Sequence, residues 1–166
     1  MKQSLDVWHG RWQSPSFWLA VGLGSGLIKP APGTWGSLFA LILGHLMIAN
    51  GLPFEFFATS IVAVFVIGAL LINRIELMSG VHDAPEIVID EVAGMWVAML
   101  PLYHLGVGFA QLLGAFMLFR LFDIAKPWPI GWLDKKVSGG LGVMIDDIAA
   151  GIFAIIGIEI FAAILL

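Results

Sequence analysis

Two short stretches of this sequence carry paired carboxylates, and they are almost identical. Ile89-Asp90-Glu91-Val92-Ala93 is echoed by Ile145-Asp146-Asp147-Ile148-Ala149, and an apolar run follows each pair. The two pairs hold four of the chain's 12 acidic residues. Ionised groups beside apolar segments are costly unless cations or a metal ion compensate them. Both pairs are therefore candidates for chemistry, as metal ligands or as acids and bases.

The composition places these acids in a membrane protein. Of the 166 residues, 60% are hydrophobic and 12% are charged, and the mean hydropathy is +0.97. Soluble domains are usually only about 45–50% apolar. No cysteine is present, which excludes disulfides, thiolate metal sites and a cysteine nucleophile. The length suits a single membrane-embedded catalytic domain over residues 1–166.

Five apolar segments predict helices that cross the membrane fully or in part. At ~1.5 Å per residue the shortest reach only ~22–24 Å, which is less than the ~30 Å hydrocarbon core. Continuous apolar runs argue against strands, and an open sheet cannot span lipid. We predict an all-α integral membrane protein, a compact bundle of about five transmembrane or partial-span helices over residues 35–50, 54–72, 88–102, 105–122 and 143–166.

The amino-terminal part has a different character. Trp8, Trp12 and Arg11 combine amphipathic rings with a cation, so residues 1–16 are predicted to form an interfacial helical arm. Residues 17–28 contain three glycines at alternate positions, which predict a short helix that breaks into a loop.

The positions of the basic residues predict the orientation. If the five segments alternate in direction, all eight lysines and arginines fall on one side, which the positive-inside rule makes cytoplasmic, with the amino terminus inside. Both acidic pairs open segments that leave this face. Four polar clusters therefore converge on this face: residues 29–37, 82–91, 120–134 and 138–147. The eight basic residues on it are Lys2, Arg11, Lys29, Arg74, Arg120, Lys126, Lys135 and Lys136.

Each acidic pair also has a simpler interpretation as a helix cap, since the helix dipole favours acids in the first turn. Two such pairs in membrane segments favour function, because intramembrane acids are rare. Successive helical residues point about 100° apart, so we expect Asp90 and Glu91 not to reach one spot together. One would bind a metal while its neighbour meets a base or a water.

Bases and anion-binding turns accompany the acids. Arg120 and Lys126 are suited to bind a phosphate, although Arg120 and Asp123 at i, i+3 would also form a local salt bridge. Pro127 and Pro129 should end the helix beside them. Gly33, Thr34 and Ser37 would form either an anion-binding turn or a plain N-cap. His82 and Asp83 would supply a general acid, a base or a metal ligand, or His82 would be only a hydrogen-bonded residue at the interface.

Oxygen ligands without thiols suit Mg²⁺, which links a few carboxylates to substrate phosphates. Hydrolysis of a phosphate ester on a membrane lipid would use all of these parts. The alternatives are a cation transporter or channel, with acids spread through the membrane depth, and a noncatalytic lipid-binding subunit. The predicted metal ligands are Asp90, Glu91, Asp123, Asp146 and Asp147.

The order and spacing of six motifs resembles the phosphatidylglycerophosphatase A family, over about residues 17–151. The motifs are Gly22-x-Gly24-x-Gly26, Ala31-Pro32-Gly33-Thr34-x-Gly36-Ser37, Gly80-Val81-His82-Asp83, Ile87-Val88-x-Asp90-Glu91-x-x-Gly94, Phe119-Arg120-x-x-Asp123-x-x-Lys126-Pro127-x-Pro129-Ile130 and Gly139-Gly140-x-Gly142-x-Met144-x-Asp146-Asp147-x-x-x-Gly151.

The resemblance implies Mg²⁺-dependent removal of the terminal phosphate from phosphatidylglycerophosphate in a bacterial inner membrane, which yields phosphatidylglycerol. The expected partners are phosphatidylglycerophosphate, as the substrate, and the surrounding membrane lipids, but no nucleic acid. Whether the chain forms a homo-oligomer stays open. No Asp-x-Asp motif of the haloacid dehalogenase type is present, which favours water over an aspartate as the attacking group.

Overall fold

The computed structural model describes residues 3–165, which contain helices and no strand, so the all-α prediction is confirmed. Met1 and Lys2 of the predicted arm, and Leu166 of the last predicted segment, lie outside the described residues. The α-helices are α1 (Pro15–Ala20), α2 (Pro32–Ala49), α3 (Phe54–Ser79), α4 (Ile89–Ala98), α5 (Leu102–Leu105), α6 (Phe109–Ala125), α7 (Ile130–Lys136) and α8 (Gly139–Leu165).

Three helices within the described residues are long and apolar enough to span a membrane: α2, α3 and the part of α8 over Gly139–Ile164. The predicted segment 88–102 instead divides into α4 and the single turn α5. Pro101 lies between them and has no N–H to continue a helix. With 10 residues, α4 is only about 15 Å long, about half of a hydrocarbon core.

The short helix α4 lies in the centre of the bundle, where it packs on α8 and also on α2, α3 and α6. Every residue of α4 except Asp90 and Glu91 is buried. A helix that ends inside the membrane is tolerated when protein rather than lipid surrounds its ends. The bundle therefore shields the half-span and leaves its acidic first turn at one end.

Two glycines allow α4 and α8 to approach closely. A Cβ on Gly94 would fall 2.6 Å from the carbonyl oxygen of Asp147, and a Cβ on Gly151 would fall 2.5 Å from the carbonyl oxygen of Gly94. Small residues are typical where membrane helices pack backbone to backbone. The two helices run in the same direction, which places the two echoing acidic pairs at the same end of the bundle.

The amino-terminal region confirms the predicted glycine break, because Gly22, Leu23 and Gly24 have φ values of 54°, 54° and 105° within a distorted 3-10 helix after α1. The arm differs from the single helix expected. It forms two 3-10 turns, Leu5–Val7 and Arg11–Gln13. The buried carboxylate of Glu86 accepts hydrogen bonds from the Ser4 hydroxyl and the Leu5 N–H, which fixes the arm on the loop before α4.

Two helices begin earlier than predicted, and one short helix was missed. Helix α2 begins at Pro32, a residue favoured at the first helical position. Helix α8 begins at Gly139, and the Asn73 side chain accepts the Gly140 N–H at 2.7 Å. Helix α7, over Ile130–Lys136, lies in the stretch predicted only as a polar cluster. Its signals were Pro129 before it and lysines in its last turn.

Replacement of Gly94 with alanine tests the close contact between α4 and α8. Overpacking of this kind usually costs about 1–3 kcal/mol, so we expect Gly94→Ala to lower the midpoint of thermal unfolding, followed by tryptophan fluorescence in detergent micelles. Gly114→Ala on α6 is the matched control, because nothing lies within 4 Å of its added Cβ. If Gly94→Ala is as stable as Gly114→Ala, the close contact does not limit stability.

Candidate active site and metal centre

A polar cavity of about 340 Å³ opens where α2, α4 and α8 begin and where α6 ends. Residues from all four predicted polar clusters meet in it. The residues that line it are Pro32, Gly33, His82, Asp83, Pro85, Asp90, Glu91, Arg120, Asp123, Ile124, Lys126, Asp134, Val137, Gly139, Val143, Asp146 and Asp147. The acids thus lie at one end of the bundle beside two bases, a distribution expected of an enzyme rather than of an ion path.

Three carboxylates form a group that fits a metal ion. Asp90, Glu91 and Asp147 each offer an oxygen, and these oxygens lie within 4.8 Å of one another. Each of the three side chains also has a buried oxygen without a hydrogen-bond partner: Asp90 Oδ1, Glu91 Oε2 and Asp147 Oδ2. Buried carboxylate oxygens are costly to leave unpaired. This three-carboxylate cluster therefore has the charge and the free oxygens that a divalent cation requires.

The expectation that Asp90 and Glu91 could not reach one spot is wrong. Both contribute an oxygen to the three-carboxylate cluster. The longer side chain of Glu91 extends beside Gly33 at the start of α2, where a Cβ on residue 33 would overlap the carboxylate oxygen Oε1. The glycine leaves the space that lets Glu91 approach its neighbour. The angle between successive helical positions fixes the direction of Cβ but not that of a flexible carboxylate.

Arg120 connects this cluster to α2 and α6. Its Nη1 donates to Asp123 Oδ2 at 2.5 Å, which is the local i, i+3 ion pair considered from the sequence. The same nitrogen donates to the Ser37 hydroxyl at 3.2 Å and lies 3.8 Å from Glu91 Oε1. The buried Nε has no hydrogen-bond partner. Arg120 is thus held beside the acids through Nη1, and its buried Nε–H is unused.

Lys126 connects the ends of α6 and α7 to α8. Its Nζ lies 2.8 Å from Asp134 Oδ1 and 2.5 Å from Asp146 Oδ2. Burial alone would lower the pKa of Lys126, but the hydrogen bonds and charges of Asp134 and Asp146 outweigh it and raise that pKa above its usual value. The ammonium group therefore stays charged.

The helix dipole explains only one of the two acidic pairs. Asp90 and Glu91 lie in the first turn of α4, as a cap would. Because α8 begins at Gly139, Asp146 and Asp147 lie about two turns inside it, and the dipole effect fades beyond the first turn. Lys126 is the charge that compensates Asp146 instead.

The remaining candidates lie at the rim or outside the cavity. His82 and Asp83 line it, and His82 Nδ1 lies 2.6 Å from Glu76 Oε1. Gly33 lines it as well. The buried Ser37 hydroxyl donates to the Gly33 carbonyl at 2.7 Å and reaches the acids through Arg120, whereas Thr34 is not among the lining residues.

Sequence reasoning missed two acids of this region. Glu76, the partner of His82, precedes it by six positions across the end of α3, a spacing that gives no signal. Asp134 fell inside a predicted polar cluster, but its pairing with Lys126 needed the turn that brings α7 back to the end of α6. Only the folded chain shows these partners.

Comparisons with known proteins identify the group of proteins to which this arrangement belongs. A family model described as phosphatidylglycerophosphatase A matches residues 18–162. Phosphatidylglycerophosphatase A of Haemophilus influenzae is 43% identical over 143 residues, 86% of each chain. The protein of that name in Escherichia coli K12 is 40% identical over 151 residues, 90% of this chain and 86% of the relative.

A third relative carries a different name. A putative phosphatidylinositol-3-phosphatase of Bacteroides thetaiotaomicron is 34% identical over 146 residues, 86% of this chain and 90% of the relative. No solved structure matches the chain. The relatives confirm that the protein is an enzyme, a phosphoric monoester hydrolase. With its two echoing acidic pairs gathered at one end of a helical membrane bundle, the chain belongs to the phosphatidylglycerophosphatase A family.

Proposed function

We propose that this protein is a Mg²⁺-dependent phosphatase that converts phosphatidylglycerophosphate to phosphatidylglycerol by hydrolysis of the terminal phosphate monoester. The substrate follows from the names of the two relatives at 43% and 40% identity. The observation that carries the mechanism is the three-carboxylate cluster, with its unpaired buried oxygens, beside Arg120.

In this proposal Asp90, Glu91 and Asp147 hold the Mg²⁺ ion, and Asp123 and Asp146 lie next to them in the same cavity. When bound, Mg²⁺ neutralises phosphate charge and lowers the pKa of a water molecule. The residues supply oxygen ligands alone, as Mg²⁺ prefers. No thiol or histidine belongs to the cluster, which disfavours a softer metal.

The bases and the remaining acids supply the other functions. Arg120 binds the phosphate and stabilises the charge on its equatorial oxygens, and the third N–H of Lys126 is available for the same oxygens. Asp146 Oδ1, which is buried without a partner, accepts a proton from the attacking water. As the new bond from water oxygen to phosphorus forms, the bond to the glycerol oxygen breaks, and His82 at the rim delivers the proton that this oxygen needs.

We further propose that the cavity faces the cytoplasm in a bacterial inner membrane, with the amino terminus inside. The support is the one-sided distribution of lysines and arginines in the sequence. Helix α7 carries Lys135 and Lys136 in its last turn. At this face they would attract anionic lipid headgroups toward the cavity.

The metal requirement is tested by phosphate release from phosphatidylglycerophosphate in detergent micelles. We expect release with Mg²⁺, loss of release with excess EDTA, and recovery when Mg²⁺ is restored, because the acids would otherwise repel the phosphate. Phosphatidylinositol 3-phosphate is the comparison substrate, and we expect it to react more slowly. Undiminished release in EDTA would exclude the metal.

Asn substitutions test the acids at nearly constant size. Loss of a residue that only supports a metal ligand usually costs about 10–100-fold in activity. We expect Asp90→Asn and Asp146→Asn each to lower kcat by more than that. Membrane insertion should be unchanged. Asp6→Asn is the control, since Asp6 is exposed and pairs with Arg11 away from the cavity. Both acids lose their proposed roles if their variants keep most of the activity.

Arg120→Ala tests phosphate binding. A fixed donor that stabilises developing charge is usually worth about 10²–10³ in rate, and we expect kcat/KM to fall by about that factor. Arg74→Ala is the matched control, because Arg74 is an exposed arginine that does not line the cavity. An unchanged kcat/KM in Arg120→Ala would remove this residue from the site.

A further inference from the structure

Acids outnumber bases among the residues that line the cavity. Two bases, Arg120 and Lys126, face seven lining acids: Asp83, Asp90, Glu91, Asp123, Asp134, Asp146 and Asp147. Such an excess is what a site for two metal ions provides, with the ions about 3.5–4 Å apart. The number of ions therefore depends on which acids are already compensated.

A second ion next to the three-carboxylate cluster would need Asp146. This residue is adjacent to Asp147 in the sequence, is only 4% exposed, and has a buried oxygen, Oδ1, without a partner. Its other oxygen, Oδ2, is 2.5 Å from Lys126 Nζ, and the same nitrogen is 2.8 Å from Asp134 Oδ1. The ammonium group thus lies between the two acids that a second ion would join.

The remaining contacts divide the acids into two groups. Asp123 is compensated by Arg120 at 2.5 Å, and Asp134 and Asp146 are compensated by Lys126. Among residues 3–165, no lysine, arginine or histidine nitrogen lies within 4.0 Å of a carboxylate oxygen of Asp90 or Asp147. Of the three-carboxylate cluster, only Glu91 has a base within that distance among the described residues, Arg120 at 3.8 Å, and Arg120 is already paired with Asp123 at 2.5 Å.

Lys126 is well placed for a fixed charge. It directly follows α6 as the residue that caps it, with φ 42° and ψ 55°, and its N–H donates to the carbonyl oxygen of Phe122. Helix α7 packs against it, since a Cβ on Gly131 would fall 2.8 Å from the Lys126 carbonyl oxygen. An ammonium ion is a compact charge with three donors. Two of these serve Asp134 and Asp146, and a divalent ion cannot share that position.

We infer that Lys126 takes the place of a second metal ion, so that each chain binds a single divalent cation, in the three-carboxylate cluster. This inference rests on the proposed function, because it assumes that the cluster holds a metal. Its consequence for mechanism is that Asp146 keeps one oxygen free to accept a proton, whereas a second ion would occupy that oxygen.

The test is a titration of the purified full-length protein in detergent with Mn²⁺, followed by electron paramagnetic resonance. We expect one tightly bound Mn²⁺ per chain in the wild type and two in Lys126→Met, which keeps the length of the side chain but removes the positive charge beside Asp134 and Asp146. Lys126→Arg should bind one, because it retains the charge. Lys135→Met, an exposed lysine on α7, is the matched control and should also bind one.

Two bound ions in the wild type, or one in a folded Lys126→Met, would overturn the inference. The wild-type spectrum alone is decisive if Lys126→Met does not fold, since two neighbouring Mn²⁺ ions couple magnetically and a single ion does not. Phosphate release by the same wild-type preparation separates this result from the proposed function. One bound ion without release contradicts the function alone, and two bound ions with release contradict this inference alone.

Discussion

A carboxylate that remains ionised within a membrane protein must be compensated by a cation, and this constraint organises the whole site. Arg120 compensates Asp123, and Lys126 compensates Asp134 and Asp146. Within the part of the chain that the structure describes, the three-carboxylate cluster has no base at hydrogen-bonding distance, and Arg120 lies 3.8 Å from Glu91. The helix ends are arranged so that both bases and all of these acids meet in one cavity, where the proposed divalent ion and phosphate would complete the balance of charge.

The close packing of α4 against α8 makes this arrangement possible. A helix of 10 residues cannot cross a bilayer, yet α4 carries two of the three carboxylates of the cluster, Asp90 and Glu91, and packs on α8, which carries Asp147. Gly94 and Gly151 bring the two backbones close enough for Asp90 and Asp147 to share a site. The surrounding helices replace lipid with protein at the end of α4, where unpaired backbone groups would otherwise be costly.

Other contacts keep the first turns of these helices in place. Glu86 anchors the amino-terminal arm on the loop before α4, and Asn73 caps the start of α8. Ser37 links Arg120 to the first turn of α2. Each of these hydrogen bonds contributes only modestly to stability, but each fixes the depth of a helix that carries an acid or faces one. For the proposed metal site, precise depth would matter because a metal ion tolerates only small errors in ligand position.

The sequence by itself determined the membrane class, the all-helical character, the glycine break after α1 and the family, because these depend on local hydropathy, on turn chemistry and on motif order. It also indicated that the echoing acids belong together. The tertiary structure decided which atoms meet: that Asp90 and Glu91 can converge, that Lys126 joins Asp134 to Asp146, and that Glu76 holds His82. Those contacts depend on the rotation and depth of helices packed against one another, and neither quantity is encoded in the hydrophobic pattern of a single segment.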